Sequence, residues 1–193
     1  MMRRALQVIR RFTKREEGSQ TVEFVLMLPL LLWAVGALYV YMDAFRMRSV
    51  ATKAAYTVAD MLSRETNVID QDYLDGVHGV LNFLNGSNAN TRLRVTVVSC
   101  DADCETDERR DLRVRWSHST GSTPTLTDGD LDQPPYSVRI PTLVQGEDLI
   151  LVETEVDYEP AFAFGLAALT FDNLMNTRPR FARAPCWENC VGS

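Results

Sequence analysis

Four cysteines are the side chains of this 193-residue chain best fitted to covalent chemistry, and they come as two pairs of one spacing, CDADC (Cys100, Cys104) and CWENC (Cys186, Cys190). None precedes position 100, a distribution that suits export to a compartment where disulfides persist. Four cysteines allow three pairings, and the shortest loops close most readily. Cys100 with Cys104 and Cys186 with Cys190 is therefore the expected pattern, although such small loops constrain the unfolded chain least. A zinc site also uses four thiolates, but its usual knuckle has two residues between ligands, not three, so no metal is expected. DADCETDE, Asp101 to Glu108, crowds five carboxylates. Read as a calcium loop it lacks glycine at the sixth place (Thr106) and a carboxylate at the twelfth (Leu112), which leaves a solvated acidic turn. His118 follows Ser117 without the glycine elbow of a nucleophile, and His78 reads as a helix-surface residue. Asn85-Gly86-Ser87 has the form of a glycosylation sequon, relevant only to a eukaryotic secretory route. No phosphate-binding glycine loop occurs. These residues predict no enzyme, no catalytic residue, no cofactor and no small-molecule substrate.

One carboxylate stands apart. Glu23 immediately precedes 19 consecutive uncharged residues, Phe24 to Met42, FVLMLPLLLWAVGALYVYM. As a helix these span roughly 28 Å, close to the hydrocarbon thickness of a bilayer. Ahead of them residues 1–18 carry six basic and two acidic side chains, and only Arg46, Arg48 and Lys53 follow closely. The positive-inside rule then predicts one span with a cytoplasmic N-terminus and an external body. Tyr39 and Tyr41 fall where an interfacial aromatic belt would lie. That body is acidic: residues 54–193 hold 11 basic and 22 acidic side chains, and the whole chain carries −6, which argues against nucleic acid as a partner. A cleaved secretory signal, cut near Ala34, Gly36 or Ala37, is the competing reading, against which stand the 23-residue charged region and the apolar run beyond Ala37.

Past the span, Met47, Ala51, Ala54, Val58 and Met61 recur at steps of 4, 3, 4 and 3, widened by Val50, Ala55 and Leu62. The spacing predicts one helix over about Thr21–Glu65, its first half facing lipid and its second a folded domain. Pro29, inside the first half, removes one helical hydrogen bond. A second amphipathic helix (Tyr73, Val77, Val80, Leu81, Leu84) ends at Asn85-Gly86. Alternation predicts strands at Leu93–Ser99 and Leu112–Ser117, each with one wet face, joined as a hairpin or meander by the acidic loop. Ser117–Gln133 reads as a long loop, Leu149–Glu159 as a third strand, and AFAFGLAALTF as a helical or irregular apolar patch. The layering is α+β: a long helix and a short one against a small antiparallel sheet. The expected segments are 1–18 as a basic leader, 19–42 as the transmembrane helix, 43–66 as its external continuation and 67–193 as the external domain.

In EEGSQTVEFVLMLPLLL, residues 16–32, a basic leader ends in Gly18, the apolar helix begins at once, and Glu23 with Phe24 stands five residues on. This resembles the processing site of type IV pilin-like precursors, and the Glu-Phe form is similar to the TadE and TadF-like minor pseudopilins of the Tad (Flp, tight adherence) pilus system. RPRFARAPCWENC also resembles the end of many TadE-like proteins. The likeness covers the first 65 or so residues and the last 15. It implies a type IV pilin-like fold and cleavage between Gly18 and Ser19 by a prepilin peptidase. It further implies insertion in the bacterial inner membrane with a periplasmic C-terminal domain, and pilus assembly with other pilin-like subunits. Glu23 and Phe24 would serve that assembly; incorporation into the surface pilus stays open. Two other classes compete. A membrane-anchored redox or copper-handling protein is suggested because one anchor followed by CxxxC also resembles the Sco-like metallochaperones, and a plain anchored binding module is the other.

Overall fold

A computed structural model describes residues 19–86, 89–106, 110–162, 165–181 and 184–188. Its first element is a single helix, α1 (Ser19–Arg64), uninterrupted at Pro29. The chain groups into two compact units. One holds the helix up to Asp43 together with Pro160–Ala167; the other holds Ala44–Glu159 and the chain from Ala168.

In the second unit α1 is one-sided. Ala51, Ala54, Ala55, Val58, Ala59 and Leu62 are buried, while Lys53, Tyr56 and Thr57 are exposed. The buried face is the one the 4-3-4-3 spacing predicts, and its alanines let the helix backbone approach the sheet closely. Helix α2 (Gln71–Asn85) starts at Asp70, whose carboxylate accepts the Tyr73 N–H at 2.8 Å, and stops at Gly86, whose φ of 101° favours glycine. Its Leu74, Val77 and Leu81 join the same core. Fully burying such side chains stabilises by about 1.5–3 kcal/mol each.

Four strands follow: β1 (Thr91–Ala102), β2 (Asp111–Ser119), β3 (Asp148–Tyr158) and β4 (Leu169–Thr177). The sheet is antiparallel in the order β2-β1-β3-β4. Leu93, Val95 and Val97 of β1 and Ile150 and Val152 of β3 turn one face to α1 and α2. The result is the pilin-like α+β arrangement expected from the sequence.

Three expectations need correction. The sheet is not a meander: β3 pairs with β1, not β2, which makes β1 central. Nor is the second face of β1 wet, since Val98, Cys100, Leu149 and Leu151 on that side are buried with Leu131, Ile140 and Leu143. The covering comes from the segment between β2 and β3, which holds two short helices: α3 (Asp128–Leu131), within the stretch read as a long loop, and α4 (Tyr136–Arg139), just beyond it. Arg110 fastens it, donating to the carbonyls of Ile140 at 2.8 Å and Ser137 at 2.6 Å. Finally, part of the apolar patch AFAFGLAALTF is strand: β4 begins at Leu169 and pairs along β3 from Tyr158 to Ile150. Its side chains are only half-buried, so the apolar run masks the alternation that marks a strand.

The remainder of that second face is an ionic ladder. Arg94 lies directly opposite Glu153 and binds it through two nitrogens at 2.6 and 2.8 Å, and the Tyr136 hydroxyl donates to the same carboxylate at 2.7 Å. Arg92 bonds Glu155 and reaches Asp157 with two contacts of 3.0 Å. Asp157 also accepts from Thr170 Oγ1 at 2.8 Å and Asn90 Nδ2 at 2.6 Å. Charge-assisted bonds from Arg92, then the bond from Thr170, hold the Asp157 carboxyl below the usual carboxylate range. An acid whose folded pKa is depressed contributes stability above its unfolded value, about 3.9, and loses it as pH falls through the lower folded value. Asp157→Asn is therefore expected to lower the denaturant midpoint at neutral pH and to converge on the unmodified protein in acid. A deficit that stays constant with pH would assign the loss to packing instead.

Candidate functional site

From Thr21 to Val35 every residue of α1 is exposed, including Phe24 (64%), Leu26 (69%) and Leu30 (65%). A soluble domain rarely presents an apolar surface of this extent, and α1 is the one helix among the described residues long and apolar enough to cross a membrane. Glu23 is exposed and sits four residues, about one turn, after Ser19, where the helix begins. Gly18 lies outside the described residues. Of the expected processing and assembly residues, Ser19, Glu23 and Phe24 thus share the first two turns of α1.

Cys100 and Cys104 are joined, with Cα atoms 5.8 Å apart. The bond closes the turn after β1, where Asp103 adopts a φ of 51°, a conformation aspartate tolerates. Both sulfur-bearing residues are buried, Cys100 fully and Cys104 to all but 5%, against Leu112, Leu143 and Leu149. The neighbouring connection is tied down where Gly146 N–H donates to the Cys100 carbonyl at 3.0 Å and Gln145 donates to the Asp101 carbonyl at 2.8 Å. Asp101, Asp103 and Glu105 point to solvent, and no group of metal-binding side chains occurs among the described residues. The expected Cys186–Cys190 bond falls outside the described residues because Cys190 does; Cys186 is not a free thiol.

His118 is on the opposite face from this pair. It projects with Val95 toward the α1 side, while Cys100 belongs to the cluster behind the sheet. A copper or thioredoxin-like site at Cys100–Cys104 needs those cysteines reachable and a histidine beside them, and the arrangement there supplies neither. The His118 ring is stacked on Trp187, centroids 3.4 Å apart and planes at 10°, with Trp116 alongside at 5.6 Å from Trp187. Burial lowers the His118 pKa and the Glu188 carboxylate partly opposes this, so the ring is neutral at pH 7. Ser117 points the other way, bonded to Thr96 at 2.8 Å and to the Leu126 N–H at 2.9 Å, so the two form no nucleophile-base pair.

Around Trp187 the carboxyl-terminal segment is pinned to the corner between α1 and α2. Ile69 N–H donates to the Cys186 carbonyl at 2.8 Å, Glu188 N–H to the Ile69 carbonyl at 3.0 Å, and Trp116 Nε1–H to the Pro185 carbonyl at 2.9 Å. Sequence reasoning missed this cluster, whose only signal was the shared face of Trp116 and His118 at a spacing of two. It also misplaced His78, which is half-buried: Nε2–H donates to the Thr91 carbonyl at 2.9 Å and so fastens α2 to β1. Asn85, the sequon residue, is 7% exposed with its amide donating to the Leu81 carbonyl at 2.9 Å, geometry that closes it to glycosylation.

The Cys100–Cys104 bond therefore acts as a staple beneath the α3–α4 covering. Replacing both cysteines by alanine is expected to preserve the fold and to cost about 2 kcal/mol, the loop-closure contribution of so short a ring. A denaturant titration of the purified protein measures it; an unchanged midpoint would show that the buried packing alone holds this turn.

Compared with known proteins, the chain matches no family model, no curated protein and no solved structure at a significant level.

Proposed function

We propose that this protein is a membrane-anchored, pilin-like subunit that assembles with other pilin-like helices, in the manner of the TadE-like minor pseudopilins its N-terminal sequence resembles. The observation that carries the reading is α1 itself. Over the described residues one uninterrupted helix, Ser19–Arg64, presents an apolar exposed surface from Phe24 to Val35 and buries one narrow face on an antiparallel sheet in its second half. An anchored enzyme or metallochaperone would need a reachable reactive group. Among the described residues the Cys100–Cys104 pair is buried and His118 is half-buried on the opposite face of the sheet.

In this reading the basic leader remains on the cytoplasmic side of the bacterial inner membrane, a prepilin peptidase removes it, and the acidic external domain meets partner subunits in the periplasm. Glu23 is central to the mechanism. A carboxylate entering hydrocarbon is costly, about 2.5–3.5 kcal/mol at mid-helix on insertion scales and less near the interface. Cleavage after Gly18 creates a compensating charge, the α-amine of Ser19, one turn away. In a low dielectric their attraction exceeds its value in water, and it can be satisfied within one chain or between neighbours.

Glu23→Gln leaves helix propensity nearly unchanged and lowers the insertion cost, so the protein should reach the membrane in normal amount with its disulfides intact. Co-purification with other pilin-like subunits, and surface fibres, should fall sharply. Normal fibres and partner capture would reduce Glu23 to an ordinary interfacial residue and remove this mechanism. Should the variant protein fail to accumulate, Glu23→Asp separates charge from reach.

A further inference from the structure

Twelve residues without a charge, PAFAFGLAALTF, run between Glu159 and Asp172 in a body that is otherwise strongly acidic; the last three open β4, and those before them form its connection from β3. It does not group with the sheet it interrupts: Pro160–Ala167 belongs to the compact unit formed with α1 up to Asp43. Within that unit the helix is bare except along one stripe. Gly36 and Ala37 are half-buried, Val40 is 1% exposed and Asp43 is half-buried, whereas Leu38, Tyr39, Tyr41 and Met42 are exposed. Positions 36, 37, 40 and 43 share one helical face. The side chains of the stripe are mostly small, and Pro160–Ala167, of which 160–162 and 165–167 are described, is the segment grouped with it. Yet the connection does not hide its own apolar surface: Phe162 is 57% exposed.

We infer that the described residues of the β3–β4 connection, Pro160–Phe162 and Gly165–Ala167, form a second membrane contact, seated in the leaflet that holds the Met42 end of α1, with the acyl-headgroup boundary of a lipid bilayer as its occupant. The inference rests on the reading of residues 24–42 as a membrane span. A segment lying against Gly36–Val40 is then ~3–9 Å inside the boundary marked by Met42 and Asp43, since each helical residue rises 1.5 Å. That is the depth at which interfacial apolar elements bury themselves, and it is level with the aromatic belt of Tyr39 and Tyr41. Glu159, directly before the segment, and β4, which begins at Leu169, mark where the chain returns to water.

The test places a photoreactive phenylalanine analogue at position 162 of the full-length chain in its native membrane, with position 31 as a hydrocarbon control and position 138 as a control for exposure alone. Leu31 is 57% exposed in the apolar half of α1, and Val138 is 81% exposed on α4. Lipid adducts at 162 comparable to those at 31, and several-fold above those at 138, are expected. Lipid adducts at 31 with none at 162 overturn the inference and leave the span intact; adducts at neither position overturn the span, and the inference with it. Crosslinks from 162 to a partner subunit in place of lipid assign the surface to assembly and overturn it, as does equal lipid labelling at 162 and 138. If the analogue prevents accumulation, Phe162→Trp in vesicles of brominated phosphatidylcholine decides the same point. Stronger quenching than in the unmodified protein is expected, and an unchanged signal overturns the inference.

Discussion

One helix with two incompatible surfaces governs this molecule. From Phe24 to Val35 α1 is apolar on every side and exposed, whereas from Ala51 to Leu62 it is apolar on one narrow face and that face is buried. The first surface is unfavourable in water and the second in hydrocarbon. A single element satisfies both only where the solvent itself changes along its length. The transition coincides with the residues where Asp43, Arg46, Arg48 and Lys53 end the uncharged run. The boundary is therefore set by side-chain solvation, while the helical hydrogen bonding continues through it.

The rest of the fold follows from giving the second surface a partner. Alanines at 51, 54, 55 and 59 leave the helix thin on its buried side, so β-branched residues of the central strands reach it directly, and Val58 and Leu62 fill what remains. Such a helix covers one face of a sheet only. The other face is closed by the segment between β2 and β3, held by Arg110 on the carbonyls that end α4, by the Cys100–Cys104 bond and by the Arg94–Glu153 pair. Burying that arginine-glutamate pair is sustainable because the Tyr136 hydroxyl and the Pro124 carbonyl satisfy the remaining bonding capacity.

Legibility in the sequence tracked the range of the interaction responsible. Helix α1, the Gly86 end of α2 and three of the four strands are set by local periodicity and capping, and each was readable within a few residues. The pairing of β3 with β1 is set by two faces competing for cover, a property of the whole sheet. Strand β4 escaped because the residues before it are uniformly apolar and its own sequence, LTFDNLMNT, alternates only over its first four positions. His78 and Trp116 were legible as residue types but not as contacts, since their partners, Thr91 and Pro185, lie 13 and 69 positions away. Of the candidate site, the position of Glu23 beside the apolar run was fully legible. The burial of Cys100 and Cys104, which turns a possible redox pair into a staple, was not, because a CxxxC spacing carries no information about the face on which it falls.

What the helix anchors depends on where the mature chain begins. If α1 is the anchor of a pilin-like precursor, the apolar stretch must survive processing and the basic leader must not. The mass of the intact protein, purified from membranes of a host that has its prepilin peptidase, distinguishes the cases in one measurement. Loss of residues 1–18, leaving Ser19 as the first residue with α1 complete, is the expected result. A mass equal to the full precursor would contradict it, and a chain beginning after Ala37 would show that the apolar run is a secretory signal and not an anchor.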